Sequence, residues 1–418
     1  MKFSIFTPSH DLKRIERAAK SLSEQEEKDF EWVICLNGKA RNKKEWLSKL
    51  LDGYNINYNI FEDSSSTNIG HLKKACCEKS SGEILVELDH DDELVPECLK
   101  SIWSYHEKHQ ADFYYSDDID INKDGVSFAP FSAQYGWQYY TCPRGRIASK
   151  AFEPTPISFG YIWYAPNHVR CWTKDFYEKV GGHNPEMDVL DDHELICRTY
   201  IEGNCVHIPE PLYVYHHTGE NTCSGEKNKK IQQLTVELHD KYIEDMAAKW
   251  SDLNNLKKVD LCPHRYKKEG FIGVDISDYP QVDVVHDLNV APWPFEDNSV
   301  GLFRLQDALE HLKDPIKTMK EIYRCLAPNG WALIEVPSTD GRGAFQDPTH
   351  VTFWNSNSFW YYTKQAQAQF IDTPVKFQLN RILNYYPTKW HETHLILYTK
   401  AHLVKLEGES IPAGGREI

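Results

Sequence analysis

The sequence predicts an α/β protein built as two successive sheet-and-helix domains, and three observations predict it. Short apolar runs alternate with helical patterns through the first half, at the spacing of parallel strands joined by right-handed crossovers. A strongly charged helical stretch interrupts the alternation, and a second alternating set begins at Lys257. At 418 residues the chain also exceeds what one ordinary core organises.

Residues 2–7 (KFSIFT) form a β-prone run, broken by Pro8-Ser9-His10-Asp11 before a helical pattern over 12–22. Residues 31–36 (EWVICL) read as a second strand closed by Asn37-Gly38, residues 46–51 as helix, and 57–61 as a third strand. Asn68-Ile69-Gly70 then opens a helix over 71–78. Next, Ile84, Leu85, Val86 and Leu88 make a buried strand that ends abruptly in Asp89, His90, Asp91, Asp92 and Glu93. Clustered carboxylates repel one another, and Mg²⁺ or Mn²⁺ relieves that repulsion because hard oxygen ligands suit these ions. The carboxyl end of a strand is also where open α/β sheets bind ligands. An acidic strand-to-helix turn with an aspartate cap is the plainer alternative.

Residues 112–121 (DFYYSDDIDI) add a strand, followed by Asp117, Asp118 and Asp120, which read as a solvated acidic loop. Residues 128–164 are rich in aromatics, among them Trp137, Tyr139, Tyr140, Phe152, Phe159, Tyr161, Trp163 and Tyr164. They suit either a wall that stacks on sugar rings or core packing in an irregular connection. Residues 167–182 predict a strand, a short helix and a Gly-Gly turn. Leu190-Asp191-Asp192-His193-Glu194 then leads into a helix, and 205–215 (CVHIPEPLYVY) reads as a strand before His216 and His217.

Apolar residues at helical spacing over 226–250 predict one long connecting helix. Strands over 259–261, 271–276, 282–286, 302–305 and 331–336 follow, with a helix over 315–325 that exits through Leu326-Ala327-Pro328-Asn329-Gly330. One strand, 394–399, is expected near the end. The domain limits expected are 1–225, a linker helix over 226–256, a second domain over 257–405 and a loose tail over 406–418.

The formal net charge of −15 argues against nucleic acid as a partner, since phosphate binding needs clustered Lys and Arg. No run approaches the roughly 20 apolar residues of a membrane span, which sets the expectation of a soluble cytoplasmic protein. The 11 cysteines show no CxxC spacing, so neither a zinc site nor a disulfide framework is indicated.

In order, FTPSH, VICLNG, NIGHLKKA and SGEILVELDHDDEL resemble the family-two glycosyltransferases of the GT-A fold. The resemblance implies a nucleotide-diphosphate sugar donor, a glycan or small hydroxyl acceptor, and Mn²⁺ or Mg²⁺ on an Asp-x-Asp motif. Carried over by position, Asp89 and Asp91 would be the metal residues, with His216 or His217 completing the shell. Thr7, Pro8, Asn37, Lys73 and Asp89 would line the donor. Asp192 would be the general base of an inverting transfer, with Asp191 second. Helix capping is the other reading of that pair. Where many relatives carry an aspartate pair that reads the donor base, this chain has Leu36-Asn37-Gly38, which leaves the base open. No Gln-x-x-Arg-Trp follows, so transfer of a single sugar is expected.

The second half is similar to Rossmann-like class I S-adenosylmethionine-dependent methyltransferases, through GFIGVDIS, VDVVHDLNVAPWPFEDNSV, LQDALEHLKDP, CLAPNGWALIEVP and GAFQDPTHVTFW. The resemblance implies S-adenosylmethionine as cofactor, with Asp260 ending the first strand, Asp275 at its ribose, and Asp287 and Leu288 beside its adenine. Where relatives have a glycine-rich loop, this chain reads Asp260-Leu261-Cys262-Pro263-His264, and the added side chains obstruct close backbone approach. Two readings stay open: a glycan methyltransferase, or a domain serving structure or acceptor recognition. For the whole chain the alternatives to glycosyl transfer are a sugar methyltransferase and a non-catalytic carbohydrate-binding protein. His350, in QDPTH, reads as either a packed loop residue or an acid/base group.

Overall fold

The computed structural model describes residues 1–133, 136–217 and 226–406, and divides into two compact units, Met1–Ile243 and Glu244–Ile418. The predicted loop residues 218–222 and most of the predicted tail lie outside the described residues.

The first unit is a mixed sheet. Its strands are β1 (Phe3–Ser9), β2 (Phe30–Leu36), β3 (Tyr58–Glu62), β4 (Ile84–Glu87), β5 (Glu93–Leu94), β6 (Phe113–Ile121), β7 (Gln138–Thr141), β8 (Ile147–Lys150), β9 (Arg170–Thr173) and β10 (Cys205–His216). They lie in the order β3-β2-β1-β4-β9-β6-β10-β5, with β7 and β8 beside β6. The helices are α1 (Ile15–Ser23), α2 (Lys44–Gly53), α3 (Ile69–Glu78), α4 (Cys98–His109), α5 (Pro156–Tyr161), α6 (Lys174–Lys179), α7 (Asp191–Glu202) and the start of α8 (Glu226–Leu253), which runs past the unit boundary at Ile243. Every residue of β2 and β4 is buried, as expected of strands covered on both faces. α1 faces the sheet with Ile15, Ala18, Ala19 and Leu22, the i, i+3, i+4, i+7 spacing of an amphipathic helix.

Strand direction decides which side chains meet. β1 to β4 run parallel, β9 runs against β4 and β6, and β10 runs with β6. The carboxyl ends of β1, β4, β6 and β10 therefore share one edge with the amino end of β9. That edge collects Thr7, Asp89, Asp120, His216 and Arg170.

One expectation is corrected here, and one of two open readings is met in part. Asp117, Asp118 and Asp120 are buried within β6 rather than in a solvated loop. Each has partners from distant segments: His207 Nε2 lies 2.7 Å from Asp117, Asn167 donates to Asp118 at 2.6 Å, and Ser149 donates to Asp120 at 2.9 Å. Part of the aromatic stretch packs on itself, with Trp137, Phe152, Ile162 and Ala165 buried beneath Phe131, Tyr139 and Tyr164.

The second unit carries β11 (Lys257–Leu261), β12 (Ile272–Asp275), β13 (Val284–Val285), β14 (Val300–Gln306), β15 (Leu326–Pro337), β16 (Phe377–Tyr385) and β17 (Tyr398–Lys405), in the order β13-β12-β11-β14-β15-β17-β16. Its helix α9 (Pro315–Cys325) starts where Asp314 accepts the Lys317 N–H, with Pro at the first helical position. Residues 326–330 form no separate turn; they already belong to β15, with a register shift and Asn329 at φ 65°. The strand expected over 394–399 starts instead at Tyr398 and pairs antiparallel with β16.

Candidate active site

At the carboxyl edge of the first sheet, β1 and β4 are locked side by side. The Thr7 hydroxyl donates to Leu88 O at 2.7 Å and accepts from Trp32 Nε1 at 2.8 Å, so Thr7 is buried and fixes the loop that follows β4. Pro8 and Asn37 stand half-buried at the ends of β1 and β2. The backbone of Asn37 is tied to Ser9 O at 3.0 Å.

The acidic segment is divided by burial. Asp92 is 1% exposed; its carboxylate accepts from the Tyr213 hydroxyl at 3.0 Å and from the His216 N–H at 2.8 Å. Burial, then the carboxylates of Asp89 and Asp91, push its carboxyl well above the ordinary range. Asp89 and Asp91 are half-buried. Arg14 stands 3.8 Å from the Asp91 carboxylate, while Arg17 donates to the Asp91 backbone O at 2.7 Å. Asp89 and Asp91 both act on Asp92, and acidic oxygens of this kind suit a hard divalent cation whose other ligands come from a diphosphate and water.

The two predicted histidines face elsewhere. His216 Nε2 pairs with Glu93 at 2.7 Å, and His217 Nε2 pairs with Asp120 at 2.7 Å. Neither forms a three-ligand group with Asp89 and Asp91 among the described residues.

Beneath the acidic segment lies a charge network of which sequence reasoning identified only part. Glu87, inside β4, contacts Lys73 Nζ at 2.5 Å, Arg170 at 3.7 Å and His168 at 4.0 Å. Burial opposes its charge, yet Lys73 and Arg170 outweigh it and hold the carboxyl down to about 2. Lys73, on α3, also reaches Asp191 at 3.4 Å and is 8% exposed. Its ammonium is thus taken up by two carboxylates rather than presented to a donor. Arg170 pairs with Asp192 and donates its Nε–H to Pro166 O at 2.9 Å.

Neither aspartate acts as an N-cap. They form the first turn of α7, behind Leu190 at φ 57°, and no side chain caps the helix. Their exposure separates them: the Asp192 side chain is 22% exposed and that of Asp191 is 4% exposed. Against burial, Arg170 and Lys73 hold the Asp192 carboxyl far below the usual range, whereas burial pushes Asp191 up to about 7. A Cβ on Gly70 would lie 2.1 Å from Asn184 O and 3.2 Å from Asp191 Cβ, which explains glycine there. Asp89 lies close enough to contribute to the raised pKa values of Arg170 and Lys73, so the acidic segment and the α7 pair form one electrostatic unit. A cavity of about 610 Å³ lies at the opposite edge of the sheet, lined by Ser81, His106, Asp112 and Lys174, and contains none of these groups.

A signal for the missed residues was available. Glu87 in ILVEL and Arg170 in VRCW are charges inside otherwise apolar strands, and buried charges need partners.

In the second unit the residues expected at S-adenosylmethionine are each held by groups of this chain. Asp260 is buried and held by Arg304 at 3.0 and 3.1 Å and by the Lys268 N–H at 2.9 Å. Asp275, expected at the ribose, accepts the N–H of His264 at 3.2 Å and of Ser277 at 3.0 Å. Asp287 is turned onto Asn289, and Leu288 is buried with its carbonyl on Trp293 Nε1. The loop keeps a glycine-like backbone, with Cys262 at φ 56° and His264 at φ 49°, but fills the space with side chains. The His264 ring lies 4.4 Å from that of Tyr279.

Two α/β folds follow one another along the chain, and each matches a family model over part of its length. Residues 4–164 match the family model described as glycosyl transferase family 2, and residues 258–388 match a methyltransferase domain. No curated protein matches the chain. Among solved structures, S. aureus TarS is similar over 56% of this chain and 39% of its own, at 16% identity and TM-score 0.42. TarS 1-349 in complex with UDP-GlcNAc gives 15% identity and TM-score 0.45 over 60% of this chain and 73% of that one. GalNAc-T7 with UDP, GalNAc and Mn²⁺ gives 12% and 0.40 over 56% and 48%.

Proposed function

We propose that the first unit transfers a single sugar, with inversion, from a nucleotide-diphosphate sugar to a hydroxyl acceptor. The observation that carries this reading is the shared edge: half-buried Asp89 acts on Arg170 and Lys73, the cations that hold the partly exposed Asp192 ionised. Asp89 and Asp91 would hold Mn²⁺ or Mg²⁺, which when bound neutralises charge on the departing nucleoside diphosphate. Thr7, buried under the strand ends, sets the position of the Asp89 loop, and the half-buried Pro8 and Asn37 flank the donor.

Asp192 is the general base. Arg170 keeps it a carboxylate at every physiological pH, at the expense of basicity. A weak base suffices because the acceptor hydroxyl acidifies as its oxygen bonds to an oxocarbenium-like carbon, so proton removal comes late. Asp191 is a positioning residue that holds Lys73 and the first turn of α7 in place. Methyl transfer is not part of this reading, since Asp260 and Asp275 are committed to their own loop.

The test is divalent-ion-dependent release of nucleoside diphosphate from a panel of UDP-, GDP- and dTDP-sugars. Release from one donor class, lost with EDTA and in Asp91→Ala, is expected, with the anomeric configuration of the product inverted by NMR. Silence across the panel from a folded chain would overturn it.

A further inference from the structure

The carboxyl edge of the second sheet carries a cluster that the glycosyl transfer reading does not use. β14 ends at Gln306, Asp307 turns the chain at φ 50°, and a 3₁₀ turn, Leu309–His311, sets Glu310 and His311 side by side. Residues 347–352 fold over this turn. The N–H groups of Val351 and Thr352 donate to Glu310 O at 2.8 and 3.0 Å, and the Thr352 hydroxyl donates to Leu309 O at 2.9 Å. His350 is brought in with that segment.

One ligand atom from each of Glu310, His311 and His350 lies within 4.8 Å of the others, the only such trio among the described residues. Glu310 is 2% exposed, and neither carboxylate oxygen accepts a hydrogen bond from another residue. Its nearest basic group is His350 Nε2 at 3.9 Å. Burying a carboxylate without donors is costly, and a coordinated cation is one of the few ways to offset it.

Both rings are already oriented for coordination. His350 Nδ1 lies 3.0 Å from Ala344 O, and His311 Nδ1 lies 3.3 Å from Thr349 O and 3.2 Å from the Thr349 hydroxyl, which accepts there because its own proton goes to Asp347 at 2.7 Å. A carbonyl only accepts, so Nδ1 carries the proton in each ring and Nε2 keeps its lone pair. Ligating histidines are held by this same outer arrangement, a carbonyl on the far nitrogen. Packing alone accounts for the edge-on contact of the two rings at 5.0 Å, but it leaves the Glu310 carboxylate unexplained.

We propose that Glu310, His311 and His350 form a binding site for a divalent transition-metal cation, with its remaining coordination positions open to an oxygen ligand. Two imidazoles and one carboxylate favour Zn²⁺ and its first-row neighbours over Mg²⁺ or Ca²⁺, which take oxygen donors. Asp307 and Asp347 add negative charge near the site, since both carboxylates act on Glu310. The site is independent of the glycosyl transfer reading and stands or falls without it.

The experiment uses the full chain carrying Asp89→Asn and Asp91→Asn, which removes the other acidic edge, stripped with EDTA and titrated with Co²⁺ alone. One equivalent is expected to bind with the visible absorption of nitrogen-ligated Co²⁺ and to be displaced by Zn²⁺. His350→Ala should weaken binding by about 100-fold or more, as ligand loss exceeds the 10- to 100-fold typical of outer-shell changes. Glu310→Gln, which keeps the shape of a buried side chain, should weaken it comparably while the metal-free protein melts no lower than its parent. Absence of Co²⁺ binding by the folded chain would overturn the proposal, as would binding that Glu310→Gln leaves unchanged.

Discussion

The two sheets place carboxylates at the same kind of edge and treat them in opposite ways. In the first, Glu87 has Lys73 and Arg170 within reach, and Asp191 has Lys73. The half-buried Asp89 and Asp91 are left facing outward. In the second, the acids expected at a cofactor, Asp260 and Asp275, are bound by their own surroundings, while Glu310 is buried with no donor. The comparison teaches that an acid at a strand end marks a site by what its neighbours leave undone. Its position in the fold is not enough.

The most damaging way to break the first edge is to remove its shared cation. Lys73→Met leaves Glu87 and Asp191 buried without it, and breaking a buried pair this way costs about 3–5 kcal/mol. A large fall in the melting temperature of the first unit is expected; a fall no larger than that of a surface lysine variant would contradict the network.

A smaller effect comes from pH. Burial lowers His168 and His193 to about 4 and His183 to about 3, so the fold keeps all three neutral. The unfolded chain takes up these protons near 6.5, the folded one only near 3–4. Their stabilising contribution is therefore complete above pH 6.5 and is lost as pH falls through 4, at up to about 1.4 kcal/mol per pH unit for each proton. His193→Gln should make the acid limb of a stability-against-pH curve shallower by about one proton. An unchanged slope would mean that His193 is charged in the folded state.

The smallest expected signal sharpens the comparison from the other side. Calorimetric titration of the chain with S-adenosylmethionine should give no saturable heat, because Cys262, Pro263 and His264 occupy the loop and Asp275 is committed to it. Saturable binding would show that the loop rearranges.

Most of the first sheet was legible because β1, β2 and β4 are apolar runs closed by clear breakers, and the Asp89–Asp92 cluster stands out by charge alone. What escaped depended on partners far along the chain. Asp117 is satisfied by His207, 90 residues later, and Arg170 meets Asp192 only because β9 runs backwards beside β4. The strand β16 was missed because the alternation in FQLNRILNY breaks at Asn380-Arg381, where the register shifts against β17. His216 and His217 were legible as neighbours of the acidic edge, but their pairing with Glu93 and Asp120 follows from the register of β10 on β5 and β6.

The account rests on separate roles for Asp91 and Asp192, and one measurement tests that most directly: Mn²⁺-dependent nucleoside diphosphate affinity beside sugar-transfer rate, in Asp91→Asn and Asp192→Asn. Asp91→Asn should lose the Mn²⁺-dependent part of nucleotide affinity and with it the transfer. Asp192→Asn should bind Mn²⁺ and nucleotide as the parent does, yet transfer about 10²- to 10⁴-fold more slowly, the range expected for loss of a general base. Transfer by Asp192→Asn at the parental rate, or Mn²⁺-dependent binding untouched in Asp91→Asn, would contradict the assignment.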